Sequence, residues 1–102
     1  MKTSLLTTLL LSGSLLLASS AHASLDLAKK NSCLACHAMD KKLVGPSFKD
    51  IANKYKGQNM QAKLEEKVKK GGAGSFGPVP MSPNPQVPDA DVKQLVKWVL
   101  AQ

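Results

Sequence analysis

An all-α domain of about four short helices is what this sequence of 102 residues predicts. Three observations carry that reading. Apolar residues recur at i, i+3 and i+4 in several segments. Glycine and proline separate those segments, and no strand-like alternation appears near the chain's two cysteines, Cys33 and Cys36. The helices are expected to wrap around whatever those cysteines hold.

The two stand in Cys33-Leu34-Ala35-Cys36-His37, the spacing of a covalent haem attachment site. Two thiols separated by two residues can each add across one vinyl group of a haem. The histidine directly after them is then held under the ring, where its imidazole reaches the iron as proximal ligand. A zinc site fails on ligand count, because no further cysteine exists and the exported part has no further histidine. A thioredoxin-like dithiol wants a βαβ surrounding. A redox dithiol or plain disulfide remains the alternative, and the histidine at the fifth position favours one covalent haem c over it.

Met1 and Lys2 give a short positive start, Leu5 to Leu17 is an apolar run, and Ala18 to Ala23 ends in Ala-x-Ala. This reads as a secretory signal peptide over residues 1–23, cleaved after Ala23, with the functional domain at 24–102; an uncleaved anchor is the alternative, and either way the domain is exported. The run is too short to count as a membrane span. Removing it takes Lys2 and His22 away and leaves 79 residues with 13 lysines against 7 acidic residues, a net charge of +6. His37 is then the only histidine. A domain of this size sits near the limit, about 70 to 80 residues, below which an apolar core needs a staple. Its four aromatic residues, Phe48, Tyr55, Phe76 and Trp98, are few, and a haem bonded at both cysteines supplies the staple and the missing bulk.

The elements follow in order. Ser24 to about Lys30 is a short helix with Ser24 or Asp26 as cap and Leu27 and Ala28 turned inward. Met39 to Pro46 is a loop on the proximal side. Pro46-Ser47 opens the next helix, with Ser47 as cap and Asp50 three residues on; Phe48, Ile51, Ala52 and Tyr55 make its inner face, and Gly57 stops it. Asn59 caps a third helix in which Met60, Leu64 and Val68 repeat, ended by Gly71-Gly72. Glu65 with Lys69 and Glu66 with Lys70 are expected surface pairs worth a few tenths of a kcal/mol.

From Gly71 to Pro88 half of the 18 residues are glycine or proline, so neither helix nor central strand forms. A loop this long in so small a domain is disordered or functional, and its prolines surround Met81. The last helix starts at Pro88 and Asp89 with Asp91 in its first turn. Val92, Leu95, Val96 and Val99 make its buried face, and Trp98 lies beside it.

With no second histidine, the sixth ligand is a methionine, a lysine, water or nothing. Met39 lies two residues from the proximal ligand, and Met60 sits at core spacing on a helix. Met81 stands in Gly77-Pro78-Val79-Pro80-Met81-Ser82-Pro83-Asn84-Pro85, where fixed φ angles lower the entropy lost on holding a side chain. Met81 is the candidate distal ligand; the alternative is a merely buried methionine and an open iron.

Over the whole mature part the chain resembles the small bacterial class I cytochromes c, the short periplasmic type that donates electrons to nitrite reductases and terminal oxidases. The resemblance rests on Cys33 to His37, Val44-Gly45-Pro46, the Gly-Pro-Val-Pro-Met run ending at Met81, Asn84, and Lys97-Trp98-Val99-Leu100. It implies that the Pro46 carbonyl accepts the Nδ1 proton of His37, that Asn84 hydrogen-bonds near the ligand sulfur, and that Lys67 contacts a haem propionate. An ordinary turn residue is the other reading of Asn84. Two departures bear on the propionates. Relatives often have tryptophan at the position of Phe76, whose ring cannot donate, and arginine at that of Lys67, whose ammonium lacks the planar fork.

His/Met ligation raises the reduction potential and fills both axial positions. The expected function is outer-sphere one-electron transfer in the periplasm, by a monomeric carrier that is not an enzyme. Lys29, Lys30, Lys41, Lys42, Lys54, Lys56, Lys67, Lys69 and Lys70 either steer docking onto acidic redox partners or form a generally soluble basic surface. Nucleic acid is a poor partner for an exported protein, and nothing suggests an amphipathic membrane anchor. The opposing readings are a haem peroxidase or gas sensor with an open iron, and a thiol-redox module.

Overall fold

The computed structural model describes residues 13–102, with side chains from residue 20 onward. Met1, Lys2 and most of the expected leader's apolar run lie outside the described residues. Four helices follow one another: α1 (Gly13–Lys30), α2 (Phe48–Tyr55), α3 (Gln61–Lys70) and α4 (Asp89–Leu100), with a 3-10 turn at Cys33–Ala35. Among the described residues there is no β-strand, only the isolated bridges His37–Lys42 and Gly72–Met81. The all-α expectation of about four short helices is borne out. No described helix is long and apolar enough to cross a membrane.

The start of α1 corrects the sequence reading. Neither glycine nor proline interrupts residues 14–30, so nothing in the backbone breaks the helix near Ala23, and it runs continuously from Gly13. Ser24 is therefore no cap. It is buried, and its hydroxyl accepts a hydrogen bond from Gln94 Nε2 at 3.3 Å, joining α1 to α4. The Asn31 amide closes the last turn on the Leu27 carbonyl. Ser32 then takes a left-handed conformation, φ 61°, and turns the chain into Cys33.

α2 begins as its sequence suggests. Ser47 is its N-cap, and its side chain accepts from the Asp50 amide at 3.0 Å. The preceding loop completes the cap: Phe48 and Lys49 amides donate to the carbonyls of Ala38 and Met39 at 2.9 and 3.0 Å, satisfying donors that a helix start leaves unpaired. Phe48, Ala52 and Tyr55 are buried, with Ile51 half-buried beside them.

α3 starts one residue later than expected, with Met60 rather than Asn59 at the cap position and no side-chain cap. Glu66 and Lys70 pair at 3.1 Å. The expected Glu65–Lys69 pair does not form: Glu65 accepts from Gln61 Nε2, and Lys69 reaches across to Asp89 at 3.1 Å and to the carbonyls of Val87 and Pro85 at 2.6 and 3.2 Å. Three acceptors in a half-buried site outweigh one exposed pair on the same helix.

Ala28, Val87, Val92, Leu95 and Val96 form the core, with Leu27, Leu64, Val68, Trp98 and Leu100 packed against it. Val87 and Val92 are each 1% exposed, worth about 1.5–3 kcal/mol apiece. α4 is the central element, since α1, α2 and α3 all pack on it.

Candidate functional site

Cys33, Cys36, His37, Lys67, Met81 and Asn84 all line one cavity of about 390 Å³, walled by apolar side chains from every helix and from the 79–87 loop. That volume falls within the range of small-molecule and cofactor sites, roughly 300–1,000 Å³. Of Met39, Met60 and Met81, only Met81 lines it; Met39 is exposed and Met60 half-buried elsewhere.

Cys33 and Cys36 are free thiols, the first half-buried and the second exposed. Burial pushes the Cys33 thiol up, against a smaller lowering by a backbone hydrogen bond. His37 is held from several sides. Its Nδ1 donates to the Pro46 carbonyl at 2.6 Å, which leaves Nε2 as the ring nitrogen available to a metal. Its ring stacks on Phe48 at 5.3 Å, and Phe48 meets Trp98 edge-on at 5.2 Å.

Gly45 makes that arrangement possible. A Cβ there would lie 2.7 Å from His37 Cε1 and 3.0 Å from Nδ1, so any larger residue would push the imidazole away from Pro46. The Gly45 amide meanwhile donates to the Cys36 carbonyl at 2.8 Å. In the sequence Gly45 stands in the Met39–Pro46 loop and in the Val44-Gly45-Pro46 segment that carries the resemblance, and neither shows its contact with His37.

Met81 is fixed by backbone. Its amide donates to the Gly72 carbonyl at 2.8 Å and its carbonyl accepts from the Gly72 amide at 3.0 Å. Gly71, φ 68°, lies so close that a Cβ would come within 2.3 Å of the Met81 oxygen. Asn84 is half-buried, with its side-chain amide donating to the Ser82 carbonyl at 3.0 Å and its backbone amide to Val68 at 3.0 Å. Phe76 does not line the main cavity. It borders a smaller one of about 90 Å³, shared with Tyr55, Lys67 and Met81.

The residues present fit a c-type haem. An apolar cavity receives two thiols at attachment spacing, an imidazole with its far nitrogen free, and a thioether from a separate loop. Among the described residues Lys67 is the one lysine in its wall, and no carboxylate lines it.

The family described as Cytochrome c matches residues 25–102. Cytochrome c-552 from Nitrosomonas europaea is 51% identical over 87 residues, 84% of this chain and 84% of that one. Cytochrome c-551 from Allochromatium vinosum is 50% identical over 84 residues, covering 81% of this chain and 89% of the relative. The crystal structure of wild-type N. europaea cytochrome c552 matches the fold with a TM-score of 0.71 at 49% identity, over 74% of this chain and 95% of that one. With these likenesses added to the site's geometry, the chain belongs to the cytochrome c family, as a small class I member that binds one covalent c-type haem.

Proposed function

We propose that this protein is an exported one-electron carrier in which Cys33 and Cys36 hold the haem covalently, His37 and Met81 are the axial ligands, and the acceptor is a terminal reductase or oxidase in the periplasm. The observation that carries the reading is the convergence of His37 and Met81, from separate segments, on one apolar cavity. The bound haem supplies a reversible one-electron couple at its iron.

The chain's own residues do the rest. Pro46 and Gly45 hold the His37 imidazole in one tautomer and orientation. The Gly72–Met81 pair fixes the backbone from which the thioether projects. Val68, Leu95, Val96 and Val99 keep the cavity wall apolar and exclude water. With the only histidine of residues 24–102 engaged as the proximal group, none is left for acid–base work on the distal side. That chemistry suits electron transfer and not peroxide cleavage. Residues 1–23 serve as the cleaved export signal, and exposed lysines steer acidic partners.

Optical spectra of periplasmically expressed protein test the proposal. A sharp low-spin ferrous spectrum, a weak far-red ferric band from sulfur ligation and no response to carbon monoxide are expected. A high-spin or carbon monoxide-sensitive spectrum would overturn it.

A further inference from the structure

We infer that Lys54 is a positioning residue for the methionine ligand, acting through the tip of the loop that ends at Met81. The inference rests on the reading of Met81 as axial ligand proposed above.

Residues 72–80 are exposed along their whole length, and they include three glycines at φ 132°, 105° and 108°. The glycine-rich part of it, residues 72–77, has little conformational preference of its own, so whatever holds it must offset the entropy of ordering it. Its backbone bonds are internal: the Gly72–Met81 pair closes the base, and the Gly74 amide donates to the Gly77 carbonyl at 2.9 Å. Neither ties the tip to a helix.

Lys54 does. From the last turn of α2 its Nζ donates to the Ser75 carbonyl, and the same ammonium lies 4.4 Å from the centroid of the Phe76 ring. Among the described residues this is the one hydrogen bond linking residues 73–80 to a helix. Tyr55, next in sequence, meets Phe76 edge-on at 6.2 Å and 87°. One cation thus engages two adjacent groups of the tip, by hydrogen bond and by attraction to the ring face.

The tip communicates with Met81 through shared walls. Ser75, Phe76, Val79 and Met81 border the same small cavity of about 90 Å³ with Tyr55 and Lys67. If the tip lifts, that wall loosens, and Met81 loses the packing on that side.

The test uses ferric holoprotein and imidazole, an external ligand that competes with Met81 for the iron, with loss of the far-red sulfur band as the signal. Lys54→Met is expected to tighten apparent imidazole binding about tenfold, as loss of one charged hydrogen bond and one cation–ring contact implies. Lys54→Arg should restore the wild-type value. Lys49→Met, an exposed lysine of the same helix, should leave it unchanged. A Lys54→Met protein that loses stability to denaturant while its imidazole affinity stays at the wild-type value would overturn the inference, as would an equal shift in Lys49→Met. Wild-type protein lacking the far-red band would instead overturn the ligand reading beneath it.

Discussion

Gly72 and Met81 exchange two backbone hydrogen bonds, at 3.0 and 2.8 Å, which close a loop at the residue that faces the cavity. Because the clasp is main chain, it survives removal of the thioether. Met81→Ala is therefore expected to keep the fold and open the iron: the ferrous holoprotein should bind carbon monoxide and the ferric one should lose its far-red band. A native spectrum in that variant would show that another group is the ligand.

Gly71 and Gly57 both have positive φ, 68° and 76°, but differ in surroundings. Alanine at position 57 meets nothing within 4 Å and costs only the left-handed backbone, about 1 kcal/mol. At position 71 its Cβ meets the Met81 oxygen at 2.3 Å and the Pro83 nitrogen at 2.8 Å, both main chain. The expected loss for Gly71→Ala is about 3 kcal/mol, a fall in melting temperature of more than about 12 °C for a domain of this size. Thermal unfolding of the two variants side by side checks the difference.

Gly45→Ala should act on the redox couple. The new methyl would displace the His37 ring from the Pro46 carbonyl, and with His37 as the proposed proximal ligand the imidazole would then donate less electron density to the iron, leaving ferric haem less supported. The reduction potential is expected to rise by on the order of 50 mV, the equivalent of a hydrogen bond of about 1 kcal/mol. Potentiometric titration reads this directly, and a fall in potential would contradict the argument.

Lys69 and Asp89 form an ion pair whose two ends are unequal. The lysine side chain is 29% exposed and the carboxylate 92%. Asp89→Asn is expected to cost less than about 1 kcal/mol, as exposed pairs do. Lys69→Met also strips the carbonyls of Val87 and Pro85 of their donor and should cost about 2 kcal/mol. Denaturant unfolding of both variants separates the two contributions.

Most of the helical framework was legible because it depends on local chemistry. Ser47 followed by Asp50 marks a helix start in any context, and Phe48, Ala52 and Tyr55 can share a face only if the segment is helical. The attachment motif was equally readable, since two thiols and an imidazole at fixed spacing have few chemical uses. What stayed hidden depends on contacts distant in sequence. Nothing near Lys69 shows that Val87 and Asp89 will be closer than Glu65, and nothing near Lys54 points to Ser75, 21 residues on. The needs of Gly45 and Gly71 likewise exist only after folding brings His37 and Met81 against them. The start of α1 stayed hidden for the opposite reason: the small-residue pattern around Ala23 leaves no mark on backbone geometry, and the helix runs through it from Gly13.

Phe48 stands between His37 and Trp98, 5.3 Å from one ring and 5.2 Å from the other. The chain's single tryptophan thus sits in the cavity wall, one ring removed from the His37 imidazole. Haem absorbs at the wavelengths where indole emits, so a haem held in this cavity would take up excitation from Trp98. Tryptophan emission of the folded holoprotein is expected to be quenched and to rise when α4 separates from the cavity, which fluorescence across a denaturant titration checks. Unfolding of this protein can therefore be followed by its own light, with no dye attached.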